Sequence, residues 1–306
     1  MNSSNSPKAW AEISIDGPSF ILETLAEFFN SIGARGAIFS SPQNKKPGYE
    51  SITCFIPHDK KFPAKLAKLR KYLAELSRLF PDHQLSEPRI QIIKDTDWIN
   101  QWRETVVPTK VSKKFWVVPE WRKPPKEALK PGYRVIIMEP GLAFGTGYHP
   151  TTRLCLEMIE ELVPERARTV LDVGTGTGIL AMASAMLGAK SVLAIDIDPL
   201  SLEVANDNLQ RNKLKSRVRL QLVKENSALR LGRKKFELIL ANLFEAELKK
   251  LAEDFAKHLK NKGYLAISGI LPEQASPLMK VYKKLGMRIL QKKEQNKWIA
   301  ILMRKN

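Results

Sequence analysis

The stretch Val170-Leu171-Asp172-Val173-Gly174-Thr175-Gly176-Thr177-Gly178-Ile179 decides the fold of this chain. An apolar run of strand character meets three glycines at alternate positions, and a helical pattern begins directly behind them. Glycine is required where a turn demands positive φ or where backbone must come close to a ligand. Dinucleotide sites space their glycines G-x-G-x-x-G. Here Ile179 stands at that third position and Gly178 comes one residue early, which disfavours a pyrophosphate. Strand and helix patterns alternate around the turn. Strand Thr169–Val173 leads to helix Ile179–Leu187, and strand Ser191–Ile195 to helix Leu200–Asn212. Strand Val218–Val223 follows, then strand Phe236–Leu240 with helix Glu245–Leu259, strand Tyr264–Ile267 with helix Glu273–Leu285, and strand Trp298–Met303. Short connections repeated in this way predict an α/β domain with an open, mostly parallel Rossmann-like sheet and helices on both faces.

The second strand of the series ends in Asp196, 22 residues beyond Gly174. An acid at a strand tip can accept both hydroxyls of a ribose, although capping a helix is the plainer use of the same residue type. Asp198, followed by Pro199, reads as the cap of the next helix. A glycine turn with a ribose-gripping acid suggests an adenosine ligand without phosphates, which describes S-adenosyl-L-methionine. At the end of the fourth strand, Leu240-Ala241-Asn242-Leu243-Phe244 puts an amide into the crevice where α/β ligands sit. Base-modifying methyltransferases often carry Asn/Asp-Pro-Pro-aromatic there, and the missing prolines count against a flipped-base pocket.

Upstream, Phe144-Gly145-Thr146-Gly147 runs into His149-Pro150-Thr151-Thr152 at a helix start. The glycines can let this loop fold over a ligand, and the threonines offer hydroxyls. A glycine-rich connection with a threonine cap would leave the same trace. His149 has no companion His or Cys at ligand spacing, so no metal is expected.

The first third has a different rhythm. Strands are expected at Trp10–Ile15, Ala37–Phe39, Ser51–Ile56 and Arg89–Ile93, and helices at Phe20–Ile32 and Ala64–Phe80. That order, βαββαβ, is a small ferredoxin-like α+β module. RNA-recognition modules share the topology, but their aromatic stacking strand is reduced here to Phe55. Asp95–Glu104 reads as a short capped helix. The expected organisation is therefore residues 1–94 as a recognition domain, 95–107 as a linker helix and 108–306 as the α/β domain, which opens on strands Phe115–Val118 and Val135–Met138.

Of the 306 residues 43% are hydrophobic, enough for a real core. Two separated cysteines, Cys54 and Cys155, argue against a disulfide or zinc scaffold. The start lacks a signal-peptide pattern and no run approaches a membrane span, so a soluble, cytoplasmic protein is expected. The net charge of +18 is concentrated in residues 141–306, which carry +11 of it. Its densest excess lies between Arg211 and Lys235 and is opposed there by Glu225 alone. Such a surface attracts phosphate backbones or acidic proteins, or simply maintains solubility, and its lack of aromatics argues against single-strand stacking.

Several of these segments together carry a family resemblance. They are Pro140–Gly147 with His149-Pro150-Thr151-Thr152, Asp172–Gly178, Ile195-Asp196-Ile197-Asp198-Pro199, Ala241-Asn242-Leu243, and Ser268-Gly269-Ile270-Leu271, with Asp97-Trp98 near the linker. On them the chain resembles the PrmA family, bacterial methyltransferases of large-subunit ribosomal protein L11. The resemblance implies a substrate-recognition domain ahead of a seven-stranded S-adenosyl-L-methionine-dependent methyltransferase domain. The reaction it implies is N-methylation of lysine or α-amino groups, with the ribosomal protein as partner. It places Thr152, Gly174, Asp196 and Asn242 at the cofactor; Phe144 and Gly145 in the upstream loop and Gly176 in the glycine turn are further candidates for binding it. Asn242 is also the candidate for orienting amine or cofactor. Phe244 departs from the family's usual aliphatic residue, and the strong positive charge is no family signature. A related enzyme modifies lysines of the electron-transfer flavoprotein beta subunit, and an RNA base methyltransferase using the basic 211–235 region is a further alternative. The βαββαβ module favours the ribosomal protein.

Overall fold

A computed structural model describes residues 9–34, 37–40, 48–94, 106–138, 145–224 and 229–306. The chain divides into two compact units, one up to Val106 and one from Val107 onward. Most of the segment read as a linker helix, 95–105, lies outside the described residues.

The first unit runs β1 (Ala9–Pro18), α1 (Ser19–Ser31), β2 (Ala37–Ser40), β3 (Tyr49–Pro57), α2 (Phe62–Leu79) and β4 (Arg89–Lys94). Its antiparallel sheet has the order β2-β3-β1-β4. Alternate residues of β1 face the core, so Ala11, Ile13 and Ile15 are buried, with Ile13 between Cys54 and Ile90 in the ladder. From α2, Leu69, Leu73 and Leu76 recur at helical spacing and close the core. The rings of Phe28 and Tyr72 stack at 4.1 Å between the two helices. Arg89 donates through both terminal nitrogens to Asp16 at 2.8 and 2.9 Å, joining β4 to β1.

The second unit opens with a three-stranded sheet of β5 (Thr109–Lys110), β6 (Phe115–Pro119) and β7 (Arg134–Met138), the last two parallel. Then come α3 (Pro150–Arg166), β8 (Thr169–Val173), α4 (Ile179–Met186), β9 (Ser191–Asp196), α5 (Pro199–Arg211), β10 (Val218–Leu222) and β11 (Phe236–Asn242). After these follow α6 (Glu245–Lys250), α7 (Ala252–His258), β12 (Leu259–Ile270), α8 (Pro272–Lys284), β13 (Met287–Gln295) and β14 (Trp298–Lys305). They build a seven-stranded sheet of order β10-β9-β8-β11-β12-β14-β13. The pairs from β10 to β12 are parallel, and β14 and β13 close the sheet antiparallel. Both faces are covered: Val170 of β8 packs into the core with α3 and α4, and its neighbour Leu171 into the core with Leu248 and Phe255. This double burial explains why the parallel strands read as unbroken apolar runs.

Two details differ from the sequence expectation. The helix expected over Glu245–Leu259 is two helices that break at Leu251, and the second stops at His258 because Leu259 is taken into the ladder opposite Phe236. The seventh strand, β13, was not located from the pattern. Its hairpin to β14 turns on Asn296 and Lys297, both with positive φ.

Candidate active site

The chain after β8 turns through Gly174, Gly176 and Gly178, at φ of 71°, 54° and 80°. A Cβ on Gly174 would displace the end of the Leu243 side chain, and the positive φ is what calls for glycine here. Backbone and side chains fasten the turn to the tip of β9. Gly174 N donates to Ile195 O at 2.9 Å, and Gly176 N donates to Asp196 Oδ2 at 2.9 Å. The other oxygen of Asp196 accepts from Asp198 N at 3.1 Å. Asp198 in turn caps α5, accepting from Leu200 N and Ser201 N. Asp196 thus holds a fixed rotamer at the edge of the turn.

Asp172, at the end of β8, is almost fully buried. Thr175 Oγ1 donates to its Oδ2 at 2.7 Å, while Oδ1 has no partner among the described residues. Burial above all pushes its carboxyl up to about 7, with the help of the Asp196 charge and against the Thr175 hydroxyl and the nearby backbone N–H of Ala181. Thr152 Oγ1, at the start of α3, is buried and equally without a partner. Buried polar atoms are rarely left unpaired. This pair, one carboxylate oxygen and one hydroxyl, suits a ligand that carries both a donor and an acceptor.

A hydrogen-bonded chain crosses the same strand ends. His149 caps α3, its Nδ1 accepting from Thr151 N at 3.3 Å and lying 2.7 Å from Thr151 Oγ1. Asn242 Nδ2, at the tip of β11, donates to that hydroxyl at 3.1 Å. Nδ1 already accepts from Thr151 N, so the Thr151 hydroxyl, whose oxygen accepts from Asn242, is the donor of its hydrogen bond to His149 Nδ1. Burial pulls the imidazole down to about 4, so it is neutral at pH 7 and able to accept. The ring of Trp298 meets His149 edge-on at 5.0 Å. Gly145 is tied in from the preceding loop, its carbonyl accepting from Thr177 Oγ1 at 2.6 Å. Leu243 N donates to Ser268 O at 3.1 Å, and Gly269 leaves room for the Leu243 carbonyl. Phe244 stands at the rim, 57% exposed.

Of the residues singled out from sequence, Gly145, Thr152, Gly174, Gly176, Asp196 and Asn242 gather at the C-terminal ends of β8, β9 and β11. Phe144 lies outside the described residues. Sequence reasoning did not assign the unpaired oxygen of Asp172 or the capping role of His149. Thr151 was noted only for its hydroxyl. Nothing in the local pattern signals a bond across 91 residues from Thr151 to Asn242.

A seven-stranded sheet of this order, with a glycine turn leading to an acid at the next strand tip, defines the class I S-adenosyl-L-methionine-dependent methyltransferases. The profile of the ribosomal protein L11 methyltransferase (PrmA) family matches residues 9–306, and the chain belongs to that family. It is 32% identical over 308 residues to the ribosomal protein L11 methyltransferase of Pelobacter propionicus, covering 97% of both chains. It is 33% identical over 303 residues to that of Geobacter metallireducens, covering 96% of this chain and 98% of the other. A crystal structure of ribosomal protein L11 methylase from Lactobacillus delbrueckii subsp. bulgaricus superimposes with a TM-score of 0.59 at 34% identity, over 66% of this chain and all of the other.

Proposed function

We propose that this protein transfers methyl groups from S-adenosyl-L-methionine to amino groups of ribosomal protein L11, on lysine side chains or the α-amino terminus. Family membership supports the substrate, and the chain from His149 through Thr151 to Asn242 carries the assignment of the site. Thr151 takes one N–H of the Asn242 amide and so orients the side chain, whose oxygen can accept from an incoming amine or from the cofactor's ammonium group. Bound there, the cofactor supplies an electrophilic sulfonium methyl. Asp196 and the backbone of Gly174 and Gly176 hold its nucleoside, with Gly145 in the loop beside it. Asp172 and Thr152 meet its amino acid end, where each has an oxygen to offer.

The amine must react uncharged. An exposed lysine of pKa ~10.4 is neutral in only about one copy in 2,500 at pH 7, roughly 4.6 kcal/mol uphill. Entry into an apolar site beside a positive charge lowers that cost, and orientation contributes on the order of 7–11 kcal/mol. No general base is invoked: His149 Nδ1 is engaged by Thr151 and Asp172 is enclosed. The βαββαβ unit serves substrate recognition, and the reaction takes place in the cytoplasm, where ribosomal proteins are made. The test is single-turnover methylation of purified ribosomal protein L11 by Asn242→Ala at saturating cofactor. A fall of about a hundredfold is expected from lost positioning. An unchanged rate removes Asn242 from the mechanism.

A further inference from the structure

The parallel sheet has a second end, and its chemistry is uniform. An exposed cation stands at each strand start: Arg168 before β8, Lys190 before β9, Arg217 before β10, Lys235 before β11, Lys262 at the bulge in β12 and Arg288 in β13. Hydrogen bonds show these starts to be neighbours. Lys190 N donates to Arg168 O at 2.8 Å, Val192 N to Arg217 O at 3.1 Å, and Arg168 N to Glu237 Oε2 at 2.6 Å. Strand β14 runs the other way and finishes here in Arg304 and Lys305.

The segments that make this end are 165–169, 188–191, 213–217, 232–237, 259–263, 286–288 and 304–306. They hold fourteen of the chain's 50 Lys+Arg but only two of its 32 Asp+Glu. Those two acids, Glu165 and Glu237, are already engaged, by Arg166 and by Lys260 with two backbone N–H groups. The cations crowd one another: burial, and then the charge of Lys235, hold Lys305 below the usual range of a lysine. A folded protein gains nothing internally from such crowding, which costs self-repulsion until an anion arrives.

We propose that the N-terminal ends of these strands form a binding surface for the phosphate backbone of double-helical RNA, at the opposite end of the sheet from the cofactor turn. Seven strands at about 4.8 Å spacing make a surface about 29 Å wide. A duplex presents one charge per ~1.7 Å of axis, so it offers anions without interruption across that width. An acidic protein face offers carboxylates only in patches. Stacking of unpaired bases is not provided for: Phe236 and Tyr264, aromatic residues of this end, are both buried, the latter with the Arg304 guanidinium 5.5 Å from its ring centre. The choice of RNA over DNA rests on the proposed ribosomal substrate; the polyanion site itself does not. Occupied from this end, the enzyme keeps the cofactor crevice open to a protein substrate.

The test is fluorescence anisotropy of the full chain with a labelled RNA duplex of about 20 base pairs. Affinity should fall about a hundredfold or more between about 50 and 200 mM salt, as four or more phosphate contacts require. The triple variant Arg168→Glu/Lys190→Glu/Arg217→Glu should weaken binding at least about tenfold, with S-adenosyl-L-methionine affinity by calorimetry unchanged. Should the triple variant fold poorly, the milder pair Lys190→Gln/Arg217→Gln must still lose affinity. Lys68→Glu/Lys71→Glu, on α2, should lose none. Absence of duplex binding at low salt, equal loss in both sets of variants, or displacement of the duplex by poly-glutamate at equal charge would overturn the site. Equal affinity for a DNA duplex would overturn the choice of RNA. Failure to methylate L11 with duplex binding intact would instead strike the proposed reaction.

Discussion

Replacing Asp172 by Asn should stabilise the cofactor-free protein in alkaline solution, and the sign follows from where the proton resides. The carboxyl is 1% exposed and, mainly through burial, is pushed up to about 7 from an ordinary value of 3.8. Between about pH 4 and 7 the folded chain therefore binds more protons than the unfolded one, so stability falls as pH rises through that window. Above it the penalty is complete. Three units at 1.36 kcal/mol each set it at about 4 kcal/mol. The amide removes the charge but leaves a buried N–H donor where Oδ1 lacked a partner, at a cost of about 1–3 kcal/mol. A net gain of about 1–3 kcal/mol remains at pH 8, or roughly 2–4 °C per kcal/mol for a unit of this size.

At pH 5 wild-type Asp172 is mostly protonated, the gain disappears, and the variant melts level with wild type or below it. Thermal melts of both proteins at pH 5 and pH 8, without cofactor, read the difference directly. A melting-temperature difference that is the same at both pH values, or a variant that is less stable at pH 8, refutes the reasoning. The same substitution should weaken S-adenosyl-L-methionine binding, since it removes the carboxylate proposed to receive the cofactor's ammonium group.

Thr152→Val deletes a buried hydroxyl that has no partner among the described residues, so it should raise cofactor-free stability by about 1 kcal/mol while weakening cofactor binding about tenfold in calorimetry. Gly269→Ala sets a Cβ into the Leu243 carbonyl at φ of 93°, and chemical denaturation should show a loss above the ~1–2 kcal/mol of conformation alone. Gly232→Ala, at φ of 62° with nothing within 4 Å, is its control and should lose only that conformational amount. In the first unit the Arg89 guanidinium holds the Asp16 carboxyl below the usual carboxylate range. Its stabilisation is present above pH ~4 and is lost as pH falls through the lowered value. Arg89 is 41% exposed, so the contribution is about 1 kcal/mol or less, and Arg89→Met should flatten that limb of an acid titration followed by circular dichroism.

The sheet was legible wherever burial on both faces wrote it as apolar runs, as at Val170-Leu171 and Leu238–Leu240. It was illegible at β13, where only one side of the strand is covered and Arg288, Lys292 and Glu294 face solvent. The hairpin beyond β13 uses Asn296-Lys297, and lysine at a positive-φ position lacks the Asn-Gly sign that normally marks such a turn. The glycine turn and Asp196 could be read because their conformational demands are local. The bond from Asn242 to Thr151 could not, since it exists only once β11 and α3 are brought together by the fold.

The positive charge shows the same division between what a pattern displays and what topology creates. As a sequence feature it is a run from Arg211 to Lys235 with no evident purpose. Parallel strands begin at one end of a sheet, so residues as distant in sequence as Arg168 and Arg288 come to share a rim. Connections return the chain to that rim before every strand of this sheet except β14, and a lysine or arginine at the start of each of those strands therefore accumulates at one place. The opposite rim receives the glycine turn, Asp196 and Asn242 by the same rule. Separation of polyanion binding from methyl transfer thus needs no additional domain. It follows from strand direction, provided that the cations stand before the strands and the site residues after them.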